Sequence, residues 1–308
     1  RDDLRVAEEA KEAMVRYFRY LTTRLDENGL LEIGLGDWCP ANPEYTAPLI
    51  FTDSTIAYDL ALKAAYLYER MEMSEEAEYC RNFATKMRVA IRKHLLEDAE
   101  TMRFISGHQS VQAMAIFYGL CDNEEEKEKA LAILLEEIHK QDDHMGVGVL
   151  GGRVIFRVLC DCGYEDLAIK MITRPDAPSY GVMIADGLTT LAENVREPYG
   201  SLNHHFWGDI SALMIEYFAG IRPNPERQNA KNIDIRPLFS TDMQYAKAYY
   251  NAPSGRVEVA WKREGKDVKM ELRYPAEACG FVWAPRGYLV NGQEKVRAAS
   301  GTFVFSKR

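Results

Sequence analysis

An apolar stripe opens the chain. Ala7, Ala10, Met14, Phe18, Leu21 and Leu25 recur at steps of three and four, which is the spacing of one helix face. Asp26-Glu27-Asn28-Gly29 ends that helix, with Gly29 supplying the left-handed residue of a C-terminal stop. The same pattern predicts helices over about 54–71, 74–95, 108–120, 124–140, 150–162, 164–173 and 206–219. Ser74 reads as an N-cap, and Gly163 and Gly220 as C-terminal stops. The run Glu124-Glu125-Glu126-Lys127-Glu128-Lys129 reads as a solvated helix start, because acidic side chains favour the positive end of a helix.

Arg222-Pro223-Asn224-Pro225 breaks this pattern, and from about Ile233 the apolar period falls to two. Val257, Val259 and Trp261 alternate with polar residues, as do Val268, Met270 and Leu272, and the turn Gly265-Lys266-Asp267 joins them into a hairpin. Phe281–Trp283, Tyr288–Val290 and Thr302–Phe305 add further short strands, the pattern of a small antiparallel β-sandwich. The reading is therefore mainly α over residues 1–230, followed by a β-domain over 231–308.

Composition narrows the function. With 47% hydrophobic and 28% charged residues over 308 positions, the chain can bury a real core. No apolar run reaches the roughly 18–20 residues of a membrane span. A formal net charge of −9 opposes binding to phosphate backbones and so argues against nucleic acid as a partner. Cys39, Cys80, Cys121, Cys160, Cys162 and Cys279 lack the spacing of zinc or redox motifs and read as plain buried thiols. The lack of a dense disulfide framework favours a reducing compartment, with cytoplasm and periplasm both left open. The chain begins Arg1-Asp2-Asp3-Leu4, so it need not begin at a native N-terminus.

Two long connections can carry chemistry. In Glu32–Pro40, Asp37 and Trp38 follow directly on Gly34 and Gly36; a carboxylate can bind sugar hydroxyls and an indole can cover the apolar face of the ring. A helix cap beside a core aromatic is the competing reading. The second connection runs from Ala177 to His205 and gathers Tyr180, Glu193, Asn194, Asn203, His204 and His205. Glycosidases work with two carboxyl groups flanking the bond, and Glu193 can be one of them. A metal site of His204, His205 and Asp209 is disfavoured, since adjacent histidines on a helix point apart. No cofactor or metal is called for.

The ordered pieces resemble the inverting α-L-rhamnosidases, glycoside hydrolases built on an (α/α)6 barrel. They are Asp26–Leu31 leading to Gly36-Asp37-Trp38, Val147–Gly151, Pro178–Gly181 with Met183-Ile184, Gly187–Glu193, Ser201–His204, Ala219–Pro223 and Val290–Gly292. The resemblance implies a general base at Glu193 and sugar contacts at Asp37, Trp38 and His204. It also implies a carbohydrate substrate and a C-terminal β-domain. Some positions depart from the pattern. Ala192 and Tyr180 stand where tryptophan is usual, and Gly152-Arg153 replaces a threonine. Tyr180 and Arg153 therefore join the candidate contacts, and another sugar, such as a uronic acid, becomes an alternative. The family's general-acid motif lies upstream of the first helix, and nothing here matches it. The expectation is an incomplete (α/α)6 barrel needing an upstream portion of the same enzyme, with a non-catalytic glycan-binding remnant as a third reading.

Overall fold

The computed structural model describes residues 3–223 and 231–308, so the Asn224-Pro225 part of the proline-rich break lies outside the described residues. Contacts divide the described chain into two units. One comprises 3–158 with 171–207; the other comprises 159–170 with 208–223 and 231–308.

The first unit is built from helical hairpins. Helix α1 (Arg5–Thr23) buries Phe18 and Leu21 from its predicted stripe. Helices α2 (Leu49–Arg70) and α3 (Ser74–Leu95) pack along each other across a three-residue turn, which forces them antiparallel. Phe51, Ala61, Tyr68, Ala77, Ala84 and Met87 fill that hairpin, and Phe18 meets Phe83 edge to face at 5.8 Å. Burying one large apolar side chain of this kind contributes roughly 1.5–3 kcal/mol. Helix α2 begins five residues ahead of the expected Ser54, because its first turn is uncapped and carries no polar start signal. Ser74 is the first residue of α3 and its side chain makes no cap; the N-cap position is Met73.

A short ribbon, β1 (Leu96–Asp98) with β2 (Arg103–Phe104), leads to α4 (Gln109–Phe117), which is buried on every side over Gln109–Ala115. Its polar residues are satisfied. Gln112 accepts from Phe104 N at 3.0 Å and donates to Met102 O at 3.1 Å; Gln109 accepts from Gly146 N at 2.8 Å. Helix α5 (Glu124–Lys140) starts at the acidic run, capped by Asn123, whose side chain accepts from Glu126 N at 3.0 Å. Helix α6 (Val149–Asp161), which runs on into the second unit, and α7 (Glu165–Thr173), most of it in that unit, precede the second connection, within which lies the five-residue α8 (Gly181–Ala185). Among the described residues, no helix is long and apolar enough to cross a membrane.

The helix expected over 206–219 is replaced by a 3-10 turn at His205–Gly208, a short α9 (Asp209–Leu213) and a π turn at Met214–Phe218, the last two in the second unit. Two sheets follow. One has the order β10 (Lys295–Arg297), β8 (Phe281–Trp283), β4 (Ile233–Ile235), β3 (Ile221–Pro223). The other has the order β5 (Tyr245–Ala252), β6 (Gly255–Glu264), β7 (Asp267–Arg273), β11 (Gly301–Lys307), β9 (Tyr288–Val290). Both contribute to a single core that includes Ile233, Ile235, Val259, Trp261, Met270, Val282 and Phe305. Pairing is antiparallel throughout except for β4 against β8, which run parallel because the long excursion through the second sheet separates them. Phe239 organises the centre, with ring centroids 5.0–5.3 Å from Trp261, Tyr288 and Phe305.

Candidate active site

The first connection is anchored by Asp37. Its carboxylate is 3% exposed and accepts from Leu150 N and Gly151 N on Oδ1, both at 2.8 Å, and from Gly148 N on Oδ2 at 2.7 Å. The Ser110 hydroxyl donates to the same Oδ2. The next residue extends the join, since Val149 N donates to Trp38 O at 2.9 Å. The open N–H groups of α6 are thus capped by a loop over a hundred positions earlier in the chain. A Cβ on Gly148 would lie 2.2 Å from Asp37 O, so only glycine admits this approach. All four acceptor positions of the carboxylate are taken. This geometry gives Asp37 the work of a cap, the competing reading of the sequence, and leaves no acceptor turned outward for a sugar hydroxyl.

Behind Asp37 runs a polar chain. His108 is buried, its Nδ1 accepts from Ser110 N at 3.0 Å, and its Nε2 faces Tyr45 O at 2.9 Å. That pair of partners makes Nε2 the protonated nitrogen of a neutral ring. Burial holds the His108 pKa below the ordinary imidazole value. The ring stacks on Tyr45 at 3.9 Å, and the Tyr45 hydroxyl donates to Glu137 Oε2 at 3.2 Å. Burial, with Glu137 adding to it, pushes the Tyr45 phenol well above its ordinary value.

Trp38 leaves the loop on the outer side, with its indole 45% exposed. Cys39 follows in a left-handed conformation (φ 51°), and its Sγ lies 3.8 Å from Glu193 Oε1. The two connections read separately in the sequence therefore meet in space. Glu193 is half-buried; its N–H donates to Ser201 O at 2.8 Å, and Ser201 N donates back to Oε2 at 3.2 Å. From below, Trp207 Nε1 donates to Glu193 O at 2.8 Å. Trp207 is 1% exposed and lies against Gly152, where a Cβ would come within 2.7 Å of the ring atom Cζ3.

The remaining candidates are spread around this centre. Tyr180 is buried, edge to face with Trp207 at 5.9 Å, and its hydroxyl is 3.4 Å from Trp207 O. It supports the indole and presents little surface to solvent. His204 is half-buried; its N–H donates to Leu191 O at 2.7 Å, and its buried Nε2 has no hydrogen-bond partner among the described residues. The His204 and His205 ring centroids are 6.4 Å apart. Arg153 is exposed in the first turns of α6, and its carbonyl accepts from Arg157 Nη1 at 2.6 Å. Of the cysteines, Cys80 and Cys160 are buried as expected, but Cys279 is exposed and donates to Asn232 Oδ1 at 2.9 Å. Trp207 and Cys39 are the participants that residue-type reasoning missed. Trp207 reads as an ordinary helical aromatic, and the contact of Cys39 spans 154 positions.

A cavity of about 600 Å³ lies elsewhere, between the end of α1 and α3, lined by Leu25, Tyr79, Phe83, Met87 and Val89 among others. Its lining holds no carboxylate. Glycoside cleavage needs one, so the Glu193 region is the better candidate.

Helical hairpins in the first part of the chain and paired sheets in the last define a helical-hairpin protein with a C-terminal β-domain. The bacterial α-L-rhamnosidase six-hairpin glycosidase domain matches residues 1–218, and the bacterial α-L-rhamnosidase C-terminal domain matches residues 220–299. The chain belongs to that family. It is 26% identical over 272 residues to an α-L-rhamnosidase of Formosa agariphila, covering 81% of this chain and 28% of that protein. A Streptomyces avermitilis α-L-rhamnosidase is also 26% identical, over 98% of this chain and 29% of its own length. The chain thus spans under a third of these relatives. Among solved structures, the Streptomyces avermitilis α-L-rhamnosidase complexed with L-rhamnose superposes with a TM-score of 0.86 at 22% identity, covering 98% of this chain and 31% of that one. The α-L-rhamnosidase from Dictyoglumus thermophilum gives 0.84 at 24% identity, covering 98% and 37%.

Proposed function

We propose that this chain is the later catalytic part of an inverting glycoside hydrolase acting on terminal α-linked L-rhamnose or a similar deoxy sugar. Glu193 is the general base that deprotonates the attacking water. The observation that carries this reading is the setting of its carboxylate. Oε1 meets Cys39 of the Trp38 connection, Oε2 meets Ser201 N, and the backbone beneath is held by Trp207. A base must be held still yet keep a lone pair for water, and a half-buried carboxylate with one partner on each oxygen meets both needs. The half-exposed indole of Trp38 supplies a flat apolar surface for the sugar, and the half-buried His204, on the same connection as Glu193, supplies a polar contact. We assign the general acid to residues outside this chain, in an upstream portion of the same enzyme. Inversion then needs acid and base about 6.5–9.5 Å apart, with water between base and sugar.

The test uses whichever polypeptide hydrolyses an aryl α-L-rhamnoside, the 308-residue chain alone or joined to the upstream portion. The chain alone is expected to be inactive, and the joined form to release sugar of inverted configuration, read by NMR. In that form Glu193→Gln lowers kcat by about 10² to 10⁴-fold while substrate affinity is kept. Near-normal turnover by a folded Glu193→Gln protein removes the assignment. A second reading, a hydrolase for a uronic acid, is favoured by one observation: the exposed guanidinium of Arg153 lies early in α6, the helix stapled to the Trp38 connection. Faster cleavage of an aryl uronide than of the rhamnoside, lost in Arg153→Ala, selects it. Sugar binding without hydrolysis of either substrate selects a non-catalytic glycan-binding role.

A further inference from the structure

We propose that Cys39 is a positioning residue for Glu193, its thiol holding Oε1 of the carboxylate while Ser201 N holds Oε2. This rests on reading Glu193 as the base. The thiol–carboxylate distance is 3.8 Å, within reach of an S–H donor, and the Ser201 N distance is 3.2 Å. Each oxygen thereby has one partner, which fixes the plane of the carboxylate. The second lone pair of each oxygen stays open.

The backbone supports the same assignment. Cys39 lies at φ 51°, in the left-handed region that glycine enters without steric cost. The sequence nevertheless keeps a side chain there, and that side chain is the one that reaches Glu193. On one side the residue is pinned by Trp38 O, which accepts from Val149 N at 2.9 Å; on the other follows Pro40. The thiol is delivered by a loop that is itself clamped to α6.

The chemistry has a definite sign. Burial, and then the neighbouring Glu193 carboxylate, hold the Cys39 thiol above its ordinary range, so at neutral pH it is a neutral donor and not a competing anion. Glu193 is the charged group that acts on it. A neutral donor holds the carboxylate oxygen without competing for the proton that Glu193 is to accept. Serine preserves a donor at this position; alanine removes it.

Two measurements test the proposal. The first is alkylation of the folded chain by iodoacetamide, followed at Cys39 by peptide mapping across pH 7–9. Glu193→Gln keeps the shape but removes the charge, so the thiol should ionise more readily. Alkylation at fixed pH should rise about threefold or more. Equal rates in wild type and Glu193→Gln would overturn the coupling, whether or not the protein turns over. The second is the split between kcat and KM in the hydrolysing polypeptide. Cys39→Ala should lower kcat several-fold with KM kept, and Cys39→Ser should restore kcat. A merely structural residue would lower stability and be rescued no better by serine than by alanine, and an unchanged kcat in Cys39→Ala overturns the proposal. If instead Glu193→Gln hydrolyses normally, the base assignment falls while the alkylation result still reports on the contact.

Discussion

Trp207 donates its indole N–H to the main-chain carbonyl of Glu193 at 2.8 Å, so a buried ring carries the backbone of the candidate base from beneath. The ring is in turn confined by Gly152 and by Tyr180, whose ring stands perpendicular to it. Trp207→Phe keeps most of the packing but strands the carbonyl, and should cost about 1–3 kcal/mol in denaturant unfolding. Gly152→Ala drives a methyl into the indole and should cost roughly the same. Wild-type stability in both variants would mean that the indole is not the support described.

Asp37 and Trp38 are neighbours with opposite expected behaviour. Asp37→Ala strands three backbone N–H groups and the Ser110 hydroxyl, each stranded buried donor costing about 1–3 kcal/mol. A large drop in melting temperature should result, with residual function limited by folding. Trp38→Ala truncates a half-exposed ring and should cost only about 1 kcal/mol of stability. Calorimetric titration with L-rhamnose, in the hydrolysing polypeptide, should show the affinity loss for Trp38→Ala. Unchanged affinity would remove Trp38 from the sugar site.

His108 makes the first unit acid-sensitive. Its pKa is depressed below 6.5 in the fold, chiefly by burial, so the unfolded chain binds the proton more readily. Its contribution to stability is therefore complete above about pH 6.5 and is lost as pH falls from there through the folded pKa. Protonation would also turn Nδ1 into a donor facing Ser110 N. Melting temperatures measured from pH 7.5 down to 5 should fall in that window, and His108→Gln, at a lower absolute stability, should flatten the slope. An equal slope in both proteins would place the acid sensitivity elsewhere.

The helices were legible because each carries its own period and stop signal. The Phe18 and Leu21 stripe, the acidic run that starts α5 and the left-handed Gly29 and Gly163 all lie where local pattern puts them. The hairpin of β6 and β7 was legible for the same reason. Strand β5 was not. Its tyrosines Tyr245 and Tyr249 face solvent while Ala246 and Ala248 pack inward, so apolar size points to the wrong face. The 206–219 segment also misled, because its helical period is carried by three short turns of different pitch.

For the candidate site, sequence alone determined which residues were eligible. Glu193, Asp37, Trp38 and His204 stand out by type and by lying in connections, a property of the local chain. Only the tertiary structure decided what each does. Asp37 and α6 are over a hundred positions apart, Cys39 and Glu193 are 154 apart, and no local pattern encodes a hydrogen bond across such distances. The same carboxylate type is a saturated cap at Asp37 and a held but open group at Glu193. The difference lies in how many donors the fold brings to its oxygens, and packing alone sets that number.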